Sequence, residues 1–231
     1  MTRVSWTPLI IVVLVALAPL LLAPFPFYLT LANFIAFGAL VALGLYLLTG
    51  LAGMTSFGQA TFMGLAAYTA ALLSTKAGWS PWLTLPAGVT VAALGAVVLG
   101  GITVRLKGHY LPLSTIAWGM ALYIVMGSWT GVTGGFTGLT DLPAISVFGL
   151  RLTDPKAFFY LSAFFVLLGA WAARNLTGSR VGRALRASRG DAVAAASFGV
   201  NPALLKLQVF VLSAVYAGVA GWLYAHFLRF V

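Results

Sequence analysis

RNLTGSRVGRALRASRGDAVAAASFGVNPALLK, Arg174 to Lys206, holds six of the thirteen Lys and Arg residues and one of only three acids in a 231-residue chain. The sequence on both sides is nearly uncharged and apolar, so this stretch reads as a polar island hung from membrane helices, on the side where basic loops are retained. From Ser179 to Arg189 the residues favour helix, with Arg180, Arg183, Arg186 and Arg189 three apart along its surface. Gly190 interrupts this helix, and Asp191 is a good N-cap for a second, AVAAASF, which Gly199 can close in the left-handed conformation. Asn201 and Pro202 then form a cap and first-turn proline for the helix entering the last apolar segment. The expectation is helix, turn, helix, turn, helix. A solvated basic loop that sets topology and grips anionic lipid would explain the arginines. It would not explain the alanine run, the caps or the second helix, which point to a surface that docks a soluble partner.

Hydrophobic residues make up 61% of the chain and charged residues 7%, against about 45–50% and 25% in soluble domains. The fold class is therefore all-α, a polytopic integral membrane helix bundle with about seven spans, since each needs roughly twenty residues. The expected spans are Leu9 to Ala23, with Pro19 inside it; Leu29 to Thr49; Gly53 to Ser74; Trp82 to Val104; Tyr110 to Trp129; Ala157 to Ala173; and Leu207 to Leu228. Cysteine is absent, which excludes a disulfide framework or thiolate metal site. A net charge of +10 does not imply nucleic acid, because the positive residues sit in short loops between apolar spans. With a cytoplasmic N-terminus, nine of the thirteen basic residues, among them Arg3, Arg105 and Lys107, fall on the cytoplasmic side together with the island. Lys76, Arg151, Lys156 and Arg229 fall outside.

Small residues recur where helices should approach closely: Ala60 with Gly64, and Ser213, Ala217 and Gly221 with Ala214 and Gly218 beside them. Ser56, Gln59 and Thr61 are polar groups that hydrocarbon penalises unless they face protein or a wet path. Thr130 to Pro143, TGVTGGFTGLTDLP, lacks the Lys-Ser/Thr ending of a phosphate loop and reads as an external loop. Asp141, Asp154 and Asp191 all lie in loops, glutamate is absent, and His109 and His226 lie near span ends. Ion-coupled transporters and intramembrane enzymes place ionisable groups inside spans, and no metal-binding cluster is present. Energy for active transport would have to come from a partner docked on the island.

Four stretches resemble the inner-membrane permease subunits of branched-chain (hydrophobic) amino acid ABC uptake transporters. GMTSFGQATFMGLAAY, Gly53 to Tyr68, is similar to the family's G-x-x-S-F-G-[HQ]-A-x-F segment; GHYLPLSTIAWG, Gly108 to Gly119, to its G-x-Y-x-x-x-x-T-x-x-x-G stretch; and TGGFTGL, Thr133 to Leu139, to its external T-G-G-x-x-G-L loop. The fourth is Gly182 to Ala225. The resemblance implies one transmembrane permease domain over 1–231, in the bacterial-type inner (plasma) membrane, multi-pass and with the N-terminus cytoplasmic. It also implies that the chain is C-terminally short relative to the family, which continues past the span ending near Leu228.

On this resemblance the segment at about 174–206 couples to an ATPase through Gly182, Arg183, Leu185, Arg186, Asp191, Ala194, Ala195, Gly199, Asn201 and Pro202. It is similar to the EAA loop of ABC importers, with Val193 where the general motif has glutamate. The implied partners are cytoplasmic ABC ATPase subunits, a second related permease, an extracytoplasmic solute-binding protein and membrane lipid. No catalytic residue and no cofactor belongs to such a chain; ATP and Mg are bound by the ATPase. Ser56, Gln59, Thr61 and Tyr68 are the candidates for a substrate pathway. A secondary transporter or channel for a small neutral solute such as urea or an amide is the competing reading.

Overall fold

Helix α10, Pro202–Leu228, is the axis of the bundle, and α2, α3 and α4 pack around it. The computed structural model describes residues 7–22, 24–103, 110–147 and 149–231. In chain order the helices are α1 (Thr7–Leu21), α2 (Pro26–Leu45, continued by a π-helical turn Tyr46–Leu51), α3 (Gln59–Thr75), α4 (Pro81–Thr103) and α5 (Tyr110–Ser128). After a short α6 (Thr130–Thr133) and a two-stranded hairpin (Ser146–Val147 with Leu150–Arg151) come α7 (Pro155–Gly178), α8 (Arg180–Gly190), α9 (Ala192–Ser197) and α10. The all-α membrane class holds. Among the described residues five helices, α2 with its π-turn, α4, α5, α7 and α10, are long and apolar enough to cross a membrane. The 15-residue α1 has the length expected of the first span, whereas the 17-residue α3 is shorter than the Gly53 to Ser74 span expected there. At 1.5 Å per residue α3 reaches only about 26 Å, because Gly53 to Gly58 is not helical. The sixth expected span, read as Ala157 to Ala173, is instead the 24-residue α7. Arg3, Arg105, Lys107 and His109 lie outside the described residues.

The small residues of α10 bring backbones together, as their spacing predicts. A Cβ at Gly44 of α2 would stand 2.9 Å from the Ser213 carbonyl, and one at Gly218 would stand 3.2 Å from Ala92 of α4. One at Gly221 would overlap the Met63 carbonyl of α3. The core these contacts enclose is mostly alanine and aromatic, with Phe158 and Phe227 rings 5.0 Å apart and Trp222 fully buried.

Buried polar side chains join helices that hydrophobic packing alone would leave free to rotate. Asn33 of α2, fully buried, donates to the Leu29 and Pro155 carbonyls at 3.0 Å and accepts from the Ser162 hydroxyl of α7 at 3.0 Å. Interhelical hydrogen bonds in membranes average under 1 kcal/mol each. Asn33→Leu, which removes the contacts to both Pro155 and Ser162, is expected to cost about 1–2 kcal/mol, read as a lower unfolding midpoint in a detergent or SDS titration.

The chain's two kinds of loop gather at opposite ends of the bundle. At one end lie the π-turn, the start of α3, the island helices α8 and α9, and the start of α10. The other end carries the Thr130 to Pro143 stretch, which is folded and tied down. Lys76 donates to the Gly131 and Val132 carbonyls at 2.9 and 3.0 Å, Arg229 donates to Leu142 at 3.0 Å, and His226 Nδ1 lies 3.1 Å from the Pro143 carbonyl. His226 is 2% exposed and acts as an anchor for this loop.

Candidate functional site

The island folds as its local signals predict. Ser179 caps α8 by accepting from the Gly182 amide at 3.1 Å, and Asp191 caps α9 by accepting from Val193 and Ala194 at 2.9 and 3.0 Å. Gly199, at φ +80°, closes α9: its amide reaches the Ala196 carbonyl at 3.0 Å while Val200 reaches Ala195 at 3.2 Å. This paired arrangement satisfies the last carbonyls of the helix. Asn201 caps α10 by accepting from Leu204 at 3.1 Å, with Pro202 in its first turn. Gly190 is the last residue of α8 rather than a break before its end.

The candidate coupling residues divide by where they point. Gly182, Leu185 and Ala195 are buried; a side chain at Gly182 would press on the Leu176 and Thr177 carbonyls where α8 folds back on α7. Arg183 and Arg186 donate to the Gly178 and Thr177 carbonyls at 3.0 and 2.9 Å, covering the C-terminus of α7. Asp191, Asn201 and Pro202 shape the helix starts. Ala194 and Gly199 are exposed. Beside them are Val193 at 82% and the C-cap residue Phe198 at 87% exposure, an apolar pair on a short helix whose other residues are alanine and Ser197. Phe198 was not singled out in the sequence, although it is the one large side chain in AVAAASF.

A second group surrounds the break before α3. The π-turn ends at Gly50 and Leu51, and Gly53 takes φ +67°. Three side chains hold the irregular segment that follows. Arg189 of α8 donates to the Gly50 carbonyl at 2.6 Å, Thr115 of α5 accepts from the Phe57 amide at 3.1 Å, and Ser56 accepts from Gly58 at 3.2 Å. Non-helical backbone at membrane depth is tolerated only where protein or a cavity satisfies it. π-turns are frequent at functional sites.

Phe57 opens onto a cavity of about 540 Å³ between α3 and α5. Its walls include Ala60, Thr61, Gly64 and Tyr68 on α3 and Gly119, Met120, Tyr123 and Met126 on α5, with Phe136 at the loop end. Thr61 and Tyr68 of the predicted pathway therefore meet at one space. The other two do not line it: Ser56 serves the local turn, and Gln59 donates to Ser213 of α10 at 2.7 Å. Ala60 and Gly64, whose spacing suggests close helix contact, instead clear room. The α5 wall, with Met120, Tyr123 and Met126, carries no polar signal in the sequence and was not anticipated there.

Comparison with known proteins agrees with this architecture. The family model described as "Branched-chain amino acid transport system / permease component" matches residues 27–231. The high-affinity branched-chain amino acid transport system permease proteins LivM of Salmonella typhimurium and of Escherichia coli K12 are each 32% identical over 209 residues. Those matches cover 80% of this chain and 49% of each relative, so the chain spans about half the length of the curated relatives it matches. No solved structure matches. The bundle, the capped island and a match over nearly the whole chain place this protein in the branched-chain amino acid transport system permease family.

Proposed function

We propose that the chain is a membrane-spanning permease subunit of an ATP-binding cassette importer that moves branched-chain or other hydrophobic amino acids inward. The observation that carries this reading is α9: a helix capped at both ends, at one end of the bundle, that leaves Val193 and the C-cap residue Phe198 largely exposed. An exposed apolar pair fixed on an ordered helix is the form of a docking site. A cytoplasmic ATPase seated there would pull on α8 and α9 when it closes on ATP, and so rock the bundle. ATP and Mg are used by that partner, and this chain performs no catalysis. A second, related permease completes the pore, and a solute-binding protein delivers substrate to the Thr130 to Pro143 end. The chain then lies in the inner membrane with its N-terminus and island cytoplasmic, in keeping with the basic residues of the island.

The test is co-purification from the host in mild detergent. Val193→Arg with Phe198→Arg is expected to remove a bound ATPase subunit, at least tenfold by band intensity, while the chain elutes as a folded species. These positions are preferable to Ala195, whose burial means that arginine would unseat α9 itself. A folded native chain that retains no ATPase would sink the importer reading in favour of a channel or secondary transporter for a small neutral solute.

A further inference from the structure

The arginines of α8 are left without counter-charges. Arg183 and Arg186 are exposed, and Arg189 reaches the Gly50 carbonyl. The chain has three acids: Asp141 accepts from Thr140, and Asp154 and Asp191 accept from amides at their own helix starts. Among the described residues none of them pairs with these arginines. Arg183 and Arg186 each touch the end of α7 through one Nη, to the Gly178 and Thr177 carbonyls. A guanidinium has several further N–H donors, so both forks are held in place with most of their donors unspent.

Arg174 joins them from α7 itself. It is exposed and precedes Thr177 and Gly178 by one helical turn, on the same face of the helix. Followed back toward the middle of α7, that face carries Trp171, 63% exposed, and Phe164, 58% exposed. The 24 residues of α7 extend about 36 Å, more than the roughly 30 Å of a hydrocarbon core. Its end therefore lies at headgroup depth. One face presents apolar rings to the hydrocarbon, a tryptophan of the kind enriched at the interface, and then guanidinium groups at the level of lipid phosphates.

We infer that Arg174, Arg183 and Arg186 bind the phosphate of an anionic phospholipid whose acyl chains lie along Phe164 and Trp171. Guanidinium forks match phosphate oxygens bidentately, and a net negative headgroup supplies the counter-charge that the chain lacks. A zwitterionic choline lipid carries a quaternary ammonium beside its phosphate, which these arginines repel. An acidic surface on a soluble protein would answer the same charges. However, Arg183 and Arg186 fold back on the end of a membrane helix, and the exposed apolar pair that suits a soluble partner, Val193 and Phe198, is carried by α9. The lipid site needs only that α7 crosses a membrane, for which it is long and apolar enough, so it stands apart from the importer reading.

The full chain, purified in neutral detergent with the subunits it retains, would be titrated with dioleoylphosphatidylglycerol or dioleoylphosphatidylcholine, and bound lipid counted by native mass spectrometry. Phosphatidylglycerol is expected to bind more tightly by about tenfold or more, and to stay bound in millimolar inorganic phosphate. Replacing Arg174, Arg183 and Arg186 together by glutamine should remove the preference. Because Arg183 and Arg186 also cover the end of α7, Arg174→Gln is measured alone: its exposed side chain bonds no other group among the described residues. This variant should keep its size-exclusion peak and weaken phosphatidylglycerol about fivefold. Arg151→Gln with Lys156→Gln, which removes cations at the opposite end of α7, should change neither. Equal affinity for the two lipids overturns the assignment, as does a preference that survives both arginine variants, or displacement of the lipid by inorganic phosphate. Variants that lose a co-purified ATPase yet keep the lipid preference would assign these arginines to the soluble partner and refute the lipid site.

Discussion

Gly221→Val is expected to abolish the folded bundle or lower its stability by about 3 kcal/mol or more, the upper range for overpacking a core. The first atom of the new side chain would overlap the Met63 carbonyl, and backbone does not move aside as a flexible side chain does. Helix α10 has no direction in which to retreat. Its other faces are already in close approach, with Ser213 against Gly44 of α2 and Gly218 against Ala92 of α4. Relief at Met63 would compress one of those contacts or open voids on the far side. Fluorescence-detected size exclusion should show loss of the monodisperse peak, and any protein recovered should melt at lower temperature. Gly101→Val, a similar change on α4 where a Cβ meets nothing within 4 Å, should leave the peak in place.

The contrast between Gly221 and Gly64 marks what could be read from sequence. Both belong to small-residue steps at helical spacing, and both suggest close packing. At Gly221 the neighbouring backbone fills the gap, whereas at Gly64 α5 stands off and the gap becomes a cavity. Nothing within either helix distinguishes the two outcomes, because the difference lies in where a helix distant in sequence comes to rest. The island is the opposite case. Ser179, Asp191, Gly199 and Asn201 act on amides and carbonyls within a few residues of themselves, so their roles were legible one turn at a time. Gly53 to Gly58 was misread as helix because its glycine, serine and apolar content suits a packed span. Its actual conformation depends on Arg189 and Thr115, which lie 139 and 58 positions from their partners. Asn33 and Ser162 escaped notice for the same reason: an isolated amide or hydroxyl in an apolar run shows no partner until the helices are assembled.

Arg189→Ala should separate ATPase docking from transport in the assembled importer proposed above. The Arg189 guanidinium is the side-chain link between island helix α8 and the π-turn that ends α2, through its bond to the Gly50 carbonyl at 2.6 Å. The arginine stem also packs where a side chain at Gly53 would stand, 3.0 Å away. From Gly53 the chain runs directly to Phe57, which is held to Thr115 of α5 and lines the cavity. A pull on α8 therefore reaches the cavity wall through one charged hydrogen bond and a short irregular segment. Truncation leaves Val193 and Phe198 untouched, so the ATPase should still co-purify in full amount. Transport in proteoliposomes should fall at least tenfold with ATP hydrolysis retained, since a charge-assisted bond contributes about 1.5–3 kcal/mol and each 1.4 kcal/mol is a factor of ten. Arg189→Lys, which keeps a donor on a flexible stem but loses the planar fork, should recover part of the transport. Hydrolysis and transport falling together, in step with a lost size-exclusion peak, would mean that Arg189 holds the fold rather than transmits motion through it.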